Sequence, residues 1–346
     1  MGRILTVLLV GITLSSEALA QDTGNLRSDK ITKVATSSAQ FLKIGVGARA
    51  ISLGGSFVAT ASDLSAMYWN PAGLSSLTSS AVQVAYTEYL ADVSYSYVAF
   101  GTSFGSLGTI GFSLIYLDSG SMDVRTVRDP EGTGEQFKVQ DFAAQMSYGR
   151  ALTDRFSIGG SIKYIRQAVW HSTASSFAMD AGILFITPYE RLRFGASISN
   201  FGGNMSLAGR DILFSQDPDP LNQGNVEIVT AAYKTESFPL PLMFRFGLTW
   251  DALATADHVV TVSTDAAHPN DNSEYMNLGA EYNFRELFAV RVGYKNLFEE
   301  DGEQGLTFGG GLKLRLDRSL KAEFDYAYAD FGRLEKTHWF TIGLAF

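Results

Sequence analysis

Six residues, Gly45-Val46-Gly47-Ala48-Arg49-Ala50, fit the dinucleotide-binding fingerprint G-x-G-x-x-G/A. That chemistry needs a strand before the loop, a helix after it and an acidic residue about 20 positions on, all within a βαβ unit. No parallel unit follows here, and Ser52-Leu53-Gly54-Gly55 weakens the required helix, so the match implies no cofactor. The four histidines, His171, His258, His268 and His338, stand at no metal-ligand spacing from one another. No G-x-S-x-G elbow occurs, and the many carboxylates are those that a charged lumen and loops carry. Glu299-Glu300-Asp301-Gly302-Glu303 offers oxygens that suit Ca²⁺, but without a ligand register it reads as a solvated loop tip. The expectation is a protein with no catalytic residues, no metal and no cofactor.

The elements around these residues point to a membrane. Met1 to Ala20 reads as a secretory signal peptide, with Arg3 in the n-region, an apolar core from Ile4 to Leu14 and Ala18-Leu19-Ala20 at the cleavage site. That core is shorter than the roughly 20 residues of a spanning helix. The chain has no cysteine, which excludes disulfides, thiol chemistry and a lipobox. It holds 34 Gly, 24 Phe and 15 Tyr with only 18% charged residues, yet no long apolar run follows the signal peptide. Such a composition is what a transmembrane β-barrel leaves, because lipid-facing and lumen-facing residues alternate. The net charge of -9 argues against nucleic acid, whose phosphates require a basic face.

From about Ala81 to the end the period is two. Leu242, Phe244, Phe246, Leu248 and Trp250 alternate with Met243, Arg245, Gly247, Thr249 and Asp251; Phe288, Val290, Val292 and Tyr294 alternate with Ala289, Arg291, Gly293 and Lys295. Successive strand side chains point to opposite faces, so each segment has one lipid-compatible face and one polar or small face. The pattern predicts fourteen strands near 80–89, 92–104, 107–119, 138–150, 155–170, 176–187, 191–200, 241–251, 258–267, 275–285, 287–297, 305–316, 319–330 and 337–346. Short connections alternate with longer ones, which fits an up-and-down antiparallel barrel with short periplasmic turns and long external loops. The tight connection at Leu90-Ala91 and the longer turn Ala252–Asp257 are the exceptions. Val226–Tyr233, inside the long Phe201–Leu240 loop, reads as an extra hairpin strand outside the membrane. Both termini are expected in the periplasm of a diderm cell.

Before the strands stands Gly47 to Leu74, rich in small residues, with a lone Arg49 and a lone Asp63. Ser62 or Asp63 can N-cap a short helix through Met67, and Asn70 can cap a second with Pro71 at its first position. Gly54 and Gly55 permit tight bends or close backbone approach. A glycine-punctuated segment of this kind reads as a plug or hatch. The expected organisation is signal peptide 1–20, leader and luminal hatch 21–78, and barrel 79–346.

The stretch GARAISLGGSFVATASDLSAMYWNPAGLSSL resembles the N-terminal signature of the PorV/PorQ family, within a FadL-like superfamily of fourteen-stranded outer-membrane barrels. Asn70, Pro71 and Ala72 match the Asn-Pro-Ala of the superfamily's hatch, extended by Gly73; Arg49, Gly54, Gly55 and Asp63 match positions typical of the PorV/PorQ branch. The last strand, with Phe340, Ile342, Leu344 and terminal Phe346 on one face, resembles the recognition strand that the barrel-assembly machinery reads. The resemblance implies one of two functions. One is a non-enzymatic type IX secretion and surface-attachment component, with secretion proteins and exported cargo as partners and outer-membrane lipid around it. The other is a FadL-like channel for hydrophobic small molecules such as fatty acids, which requires an apolar pocket beside the hatch lined by Phe57, Met67, Tyr68 and Trp69.

Overall fold

The computed structural model describes residues 34, 36–189, 191–218, 228–299, 302–334 and 336–346. The signal peptide, residues 21–33 of the leader and Glu300-Asp301 of the acidic tip lie outside them. Fourteen antiparallel strands form the wall: β1 (Ala81–Glu88), β2 (Ser94–Ser103), β3 (Thr109–Asp118), β4 (Val139–Thr153), β5 (Phe156–Val169), β6 (Ser172–Ile186), β7 (Leu192–Gly202), β8 (Met243–Ala254), β9 (His258–Pro269), β10 (Tyr275–Phe284), β11 (Phe288–Leu297), β12 (Leu306–Arg315), β13 (Lys321–Asp330) and β14 (Lys336–Ala345). Each pairs with its neighbour in sequence. β1 closes on β14 in the register Ala81↔Ala345 to Glu88↔His338. Closure leaves no unpaired edge to face lipid.

The alternation that sets the strands also sets their faces. On β8, Phe244, Phe246 and Trp250 are exposed while Met243, Arg245 and Thr249 are buried. The same sense holds on β11, where Val290 and Val292 face out and Arg291 is wholly buried. An apolar outside around a polar inside is the arrangement of a membrane barrel, the inverse of a soluble one.

Two expectations about connections are corrected. The turn read as Ala252–Asp257 shrinks to residues 255–257, because a bulge after Asp251 lets the β8–β9 ladder continue through Leu253 and Ala254. β6 begins at Ser172 rather than near 176, since Ser172 and Thr173 pair directly with Val169 and Ala168. Trp170-His171 is therefore a tight turn at the end of the barrel that carries the long loops. At that end Leu213–Gln216 pairs with Val229–Ala232 as a hairpin separate from the wall, as the sequence pattern indicated.

Residues 36–80, before β1, fill the lumen. Their elements are one-turn pieces: a 3₁₀ turn Gln40–Lys43, α1 (Ala48–Ser52), α2 (Ala66–Trp69) and a 3₁₀ helix Pro71–Ser76. Helices this short do not hold themselves in water, so the wall has to hold them. α1 lies against β11–β14 and the Pro71–Ser76 turn against β3–β6, so the segment spans the lumen from one wall to the other. At the long-loop end the first described residues are fixed: the Ser38 amide donates to Pro239 O at 2.9 Å and the Ala39 amide to Gln167 Oε1 at 2.8 Å. The terminal Phe346 sits at the opposite end, its amide donating to Ser80 O at 2.8 Å.

Candidate functional site

Wall glycines make room for the hatch. Gly149, Gly159 and Gly182 are direct neighbours across three adjacent strands; Gly195 and Gly247 and Gly279 and Gly293 are likewise paired. All face inward. A methyl group on Gly159 would lie 2.3 Å from the Pro71 carbonyl carbon, and one on Gly293 would lie 2.2 Å from the Gly54 amide nitrogen. Hatch backbone thus touches wall backbone, an approach that only glycine allows. Gly54 itself needs its residue type twice: its φ of +67° is left-handed, and a Cβ would meet the Tyr294 backbone at 2.7 Å.

On the Asn70 side the contacts are neutral. Asn70 Oδ1 accepts the Ala72 amide at 3.1 Å, which caps the Pro71–Ser76 turn as expected. Its Nδ2 donates to Val58 O at 2.9 Å and to Ile183 O on the wall at 3.0 Å. Gly73 packs where a Cβ would stand 2.5 Å from Ala61 O. The helix expected from Ser62 or Asp63 begins later, at Ala66. Asp63 Oδ1 instead accepts the Ser65 amide at 2.8 Å, a local turn that delays helix entry.

On the Arg49 side the contacts are ionic. Arg49 Nε donates to Glu281 Oε2 at 3.2 Å, and its Nη1 lies 3.6 Å from Asp63. Glu281 also accepts from Arg291 Nε at 2.5 Å, and Arg291 Nη1 donates to Asp325 at 2.6 Å. Burial opposes the Arg49 charge, but Glu281 and Asp63 outweigh it and hold the guanidinium pKa above its ordinary value. Between the two sides Asp265 of β9 accepts the Phe57 and Val58 amides at 2.8 and 2.9 Å. Asp265, Glu281, Arg291 and the wall glycines were not singled out from sequence. The signal available was glycine recurring at inward strand positions, where its low strand propensity asks for a reason.

Phe57, Met67, Tyr68 and Trp69 are all buried within the hatch. Trp69 Nε1 donates to Val46 O at 2.9 Å and the Tyr68 hydroxyl to Leu42 O at 3.0 Å. Burial pushes that hydroxyl up to about 12. The Arg245 guanidinium lies 5.6 Å from the Tyr68 ring and 5.3 Å from the Trp69 ring. None of these four residues lines any of the three principal cavities among the described residues. Phe340, Ile342, Leu344 and Phe346 are exposed on the outer wall, as a lipid-facing strand requires.

A cavity of about 560 Å³ opens at the short-turn end between Asp63 and Leu64 of the hatch and β12–β14 and β1. A second, of about 300 Å³, is a groove on the outer face at Phe244, Phe246 and Phe298. Ser172, His171 and Asp211 meet near the long loops, but Ser172 Oγ and His171 Nδ1 both bond Asp211, at 3.2 and 2.9 Å. Both residues thus bind one carboxylate, which ties the Arg210–Ile212 turn to the start of β6. Among the described residues no group of three histidine or acidic side chains could hold a metal.

In comparisons with known proteins, the family profile described as "Type IX secretion system protein PorV" matches residues 27–209. No curated protein matches in sequence. Among solved structures, the CymD monoaromatic hydrocarbon channel superposes with a TM-score of 0.57 at 12% identity, over 87% of this chain and 98% of that one. A Pseudomonas aeruginosa FadL homologue gives 0.55 at 10% identity, over 87% and 98%. The Ralstonia pickettii toluene transporter TbuX gives 0.52 at 12%, over 87% and 97%. At these identities the likeness is one of fold.

Proposed function

This chain belongs to the PorV family of type IX secretion system proteins, and on that premise we propose that it is a non-enzymatic outer-membrane component that binds exported cargo and serves its surface attachment. The observation that carries the reading is the extent of the family match, residues 27–209, which takes in the hatch and the β3–β6 wall that receives it. A lumen filled by backbone-to-backbone contact supports recognition at the barrel mouths more than passage between them. The hairpin Leu213–Gln216 with Val229–Ala232 extends the surface available to a protein partner. The short-turn end and Phe346 are assigned to the periplasm because outer-membrane barrels place short turns there. Hatch residues Arg49, Gly54, Gly55, Asp63, Asn70, Pro71, Ala72 and Gly73 then act as the fixed partition between the two sides.

The second reading is a channel for hydrophobic small molecules. It is favoured by the fold shared with a monoaromatic hydrocarbon channel and a toluene transporter. Against it stand Phe57, Met67, Tyr68 and Trp69, which are spent on hatch packing instead of lining a pocket. A pull-down from native outer membrane in mild detergent, with proteins and lipids both identified, separates the two. Type IX components or their cargo support the first reading; apolar ligands with no partner protein overturn it.

A further inference from the structure

The cavity at the short-turn end has a lining that the reading above leaves without a task. Most of its charges are already matched. Asp63 faces Arg49, Asp325 faces Arg291, Lys313 faces Glu323 at 3.1 Å, and Arg285 faces Asp257 at 2.9 Å. Arg315 and Lys321 remain. They are direct partners across the β12–β13 ladder, an arrangement of like charges that a sheet disfavours. Among the described residues neither has an ion pair, and Glu286 at the rim is the one other charge left over. Deeper in, Gln83 of β1 is 7% exposed and its Oε1 is buried with no hydrogen-bond partner. Buried acceptors are ordinarily satisfied. Leu64 and Leu77 add apolar surface to the lining, and the volume lies within the range of ligand sites.

We propose that this cavity is a docking site for an acidic, extended peptide segment of a partner protein. Arg315 and Lys321 receive its carboxylates, and Gln83 Oε1 accepts one of its main-chain N–H groups. An anion alone leaves Gln83 unsatisfied, and an apolar ligand leaves both cations repelling each other. The chain's own leader is a poor occupant. Residues 21–33 carry Arg27, Lys30 and Lys33 against Asp22 and Asp29, and the residues that follow are held at the opposite mouth. That the partner approaches from the periplasm rests on the orientation given under the proposed function; the chemistry of the site does not.

The test uses the full-length protein in detergent with two fluorescent probe peptides, one of alternating aspartate and glycine and one with lysine in place of aspartate. Anisotropy should show saturable binding of the acidic probe alone, weakening as salt rises. The double variant R315Q/K321Q should weaken it roughly fivefold, the size that two exposed ion contacts supply. Gln83→Leu should weaken it without changing the salt dependence. The absence of native cysteine makes Ser62→Cys, on the cavity wall, a unique handle, and a bulky maleimide there should abolish binding. No saturable binding, equal binding of the lysine probe, or an affinity untouched by these variants overturns the proposal. So does displacement of the acidic probe by dodecyl phosphate at lower concentration than by unlabelled peptide, which would make the site a lipid one. Labelling of Ser62→Cys by an impermeant maleimide in intact cells would instead overturn the orientation and leave the peptide site standing.

Discussion

The two sides of the hatch are held by different physics. Around Asn70 and Pro71 it is fixed by neutral hydrogen bonds and by glycines that let backbone meet backbone. Around Arg49 glycine contacts recur, but a chain of buried charges, Arg49–Glu281–Arg291–Asp325, is added to them. Beside that second side lies the cavity of about 560 Å³. Neutral close packing is sensitive to shape and indifferent to salt. A buried ion chain is likewise screened little by salt, but it depends on charge balance, and removing one member leaves the others uncompensated.

The comparison is broken most severely on the neutral side. Gly159→Val should keep the hatch from seating, because the clash is with Pro71 backbone and no side chain can turn away. The cost should exceed the about 1–3 kcal/mol of ordinary overpacking. Trypsin reads it out, since no lysine or arginine lies between Arg49 and Arg125 and the seated hatch shields Arg49. Gly160→Val, one residue on and facing outward, should leave the digest unchanged. On the ionic side Glu281→Gln strips the shared acid from Arg49 and Arg291, at about 3–5 kcal/mol, measured as a lower temperature for the heat-induced gel shift. Adding Arg49→Met should recover part of that loss, and no recovery would detach Arg49 from the network. Asn70→Ala should lower the same transition by only about 1–2 kcal/mol, the range of a lost cap.

The smallest effect should come at the long-loop mouth. Burial acts to raise the Asp271 pKa, but hydrogen bonds from Ser37, Gln40 and Lys43 outweigh it and leave the carboxyl below its ordinary value. A carboxyl lowered by folding stabilises above its unfolded pKa, near 3.9, and that contribution is lost as pH falls through the lowered value. Protection of the Ser38 amide, its exchange rate relative to that of an unstructured amide at the same pH, should therefore hold at neutral pH and fall only in acid, while Arg49 remains shielded from a protease active in acid. Loss of protection near pH 6 would assign the tether to another group.

The outer wall was legible in the sequence because lipid enforces apolar alternation on every strand, so Phe244, Phe246 and Trp250 declare their face without knowledge of their neighbours. The Asn70-Pro71 cap was legible because capping is local. The partners of the hatch were not. Glu281 is 232 positions from Arg49 and Asp265 is 208 from Phe57, and nothing local marks either. The late start of α2 was missed because Asp63 can cap a helix or close a turn, and the choice depends on Arg49 and the wall. The route of the leader was hidden for a similar reason: Ser38 and Ala39 meet Pro239 and Gln167 only once the barrel exists.

That route makes the molecule a needle's eye already threaded. Ser38 is fastened at one mouth and Ser80 at the other, with the chain between them passing through a bore that glycine leaves no wider than backbone. If β1 and β14 form the last seam, a thread lying in place beforehand needs no passage, whereas one arriving afterwards meets a hole of its own cross-section. The seam that seals the wall would then also be the knot that keeps the thread, and an unthreaded barrel would be a dead end rather than a slow intermediate.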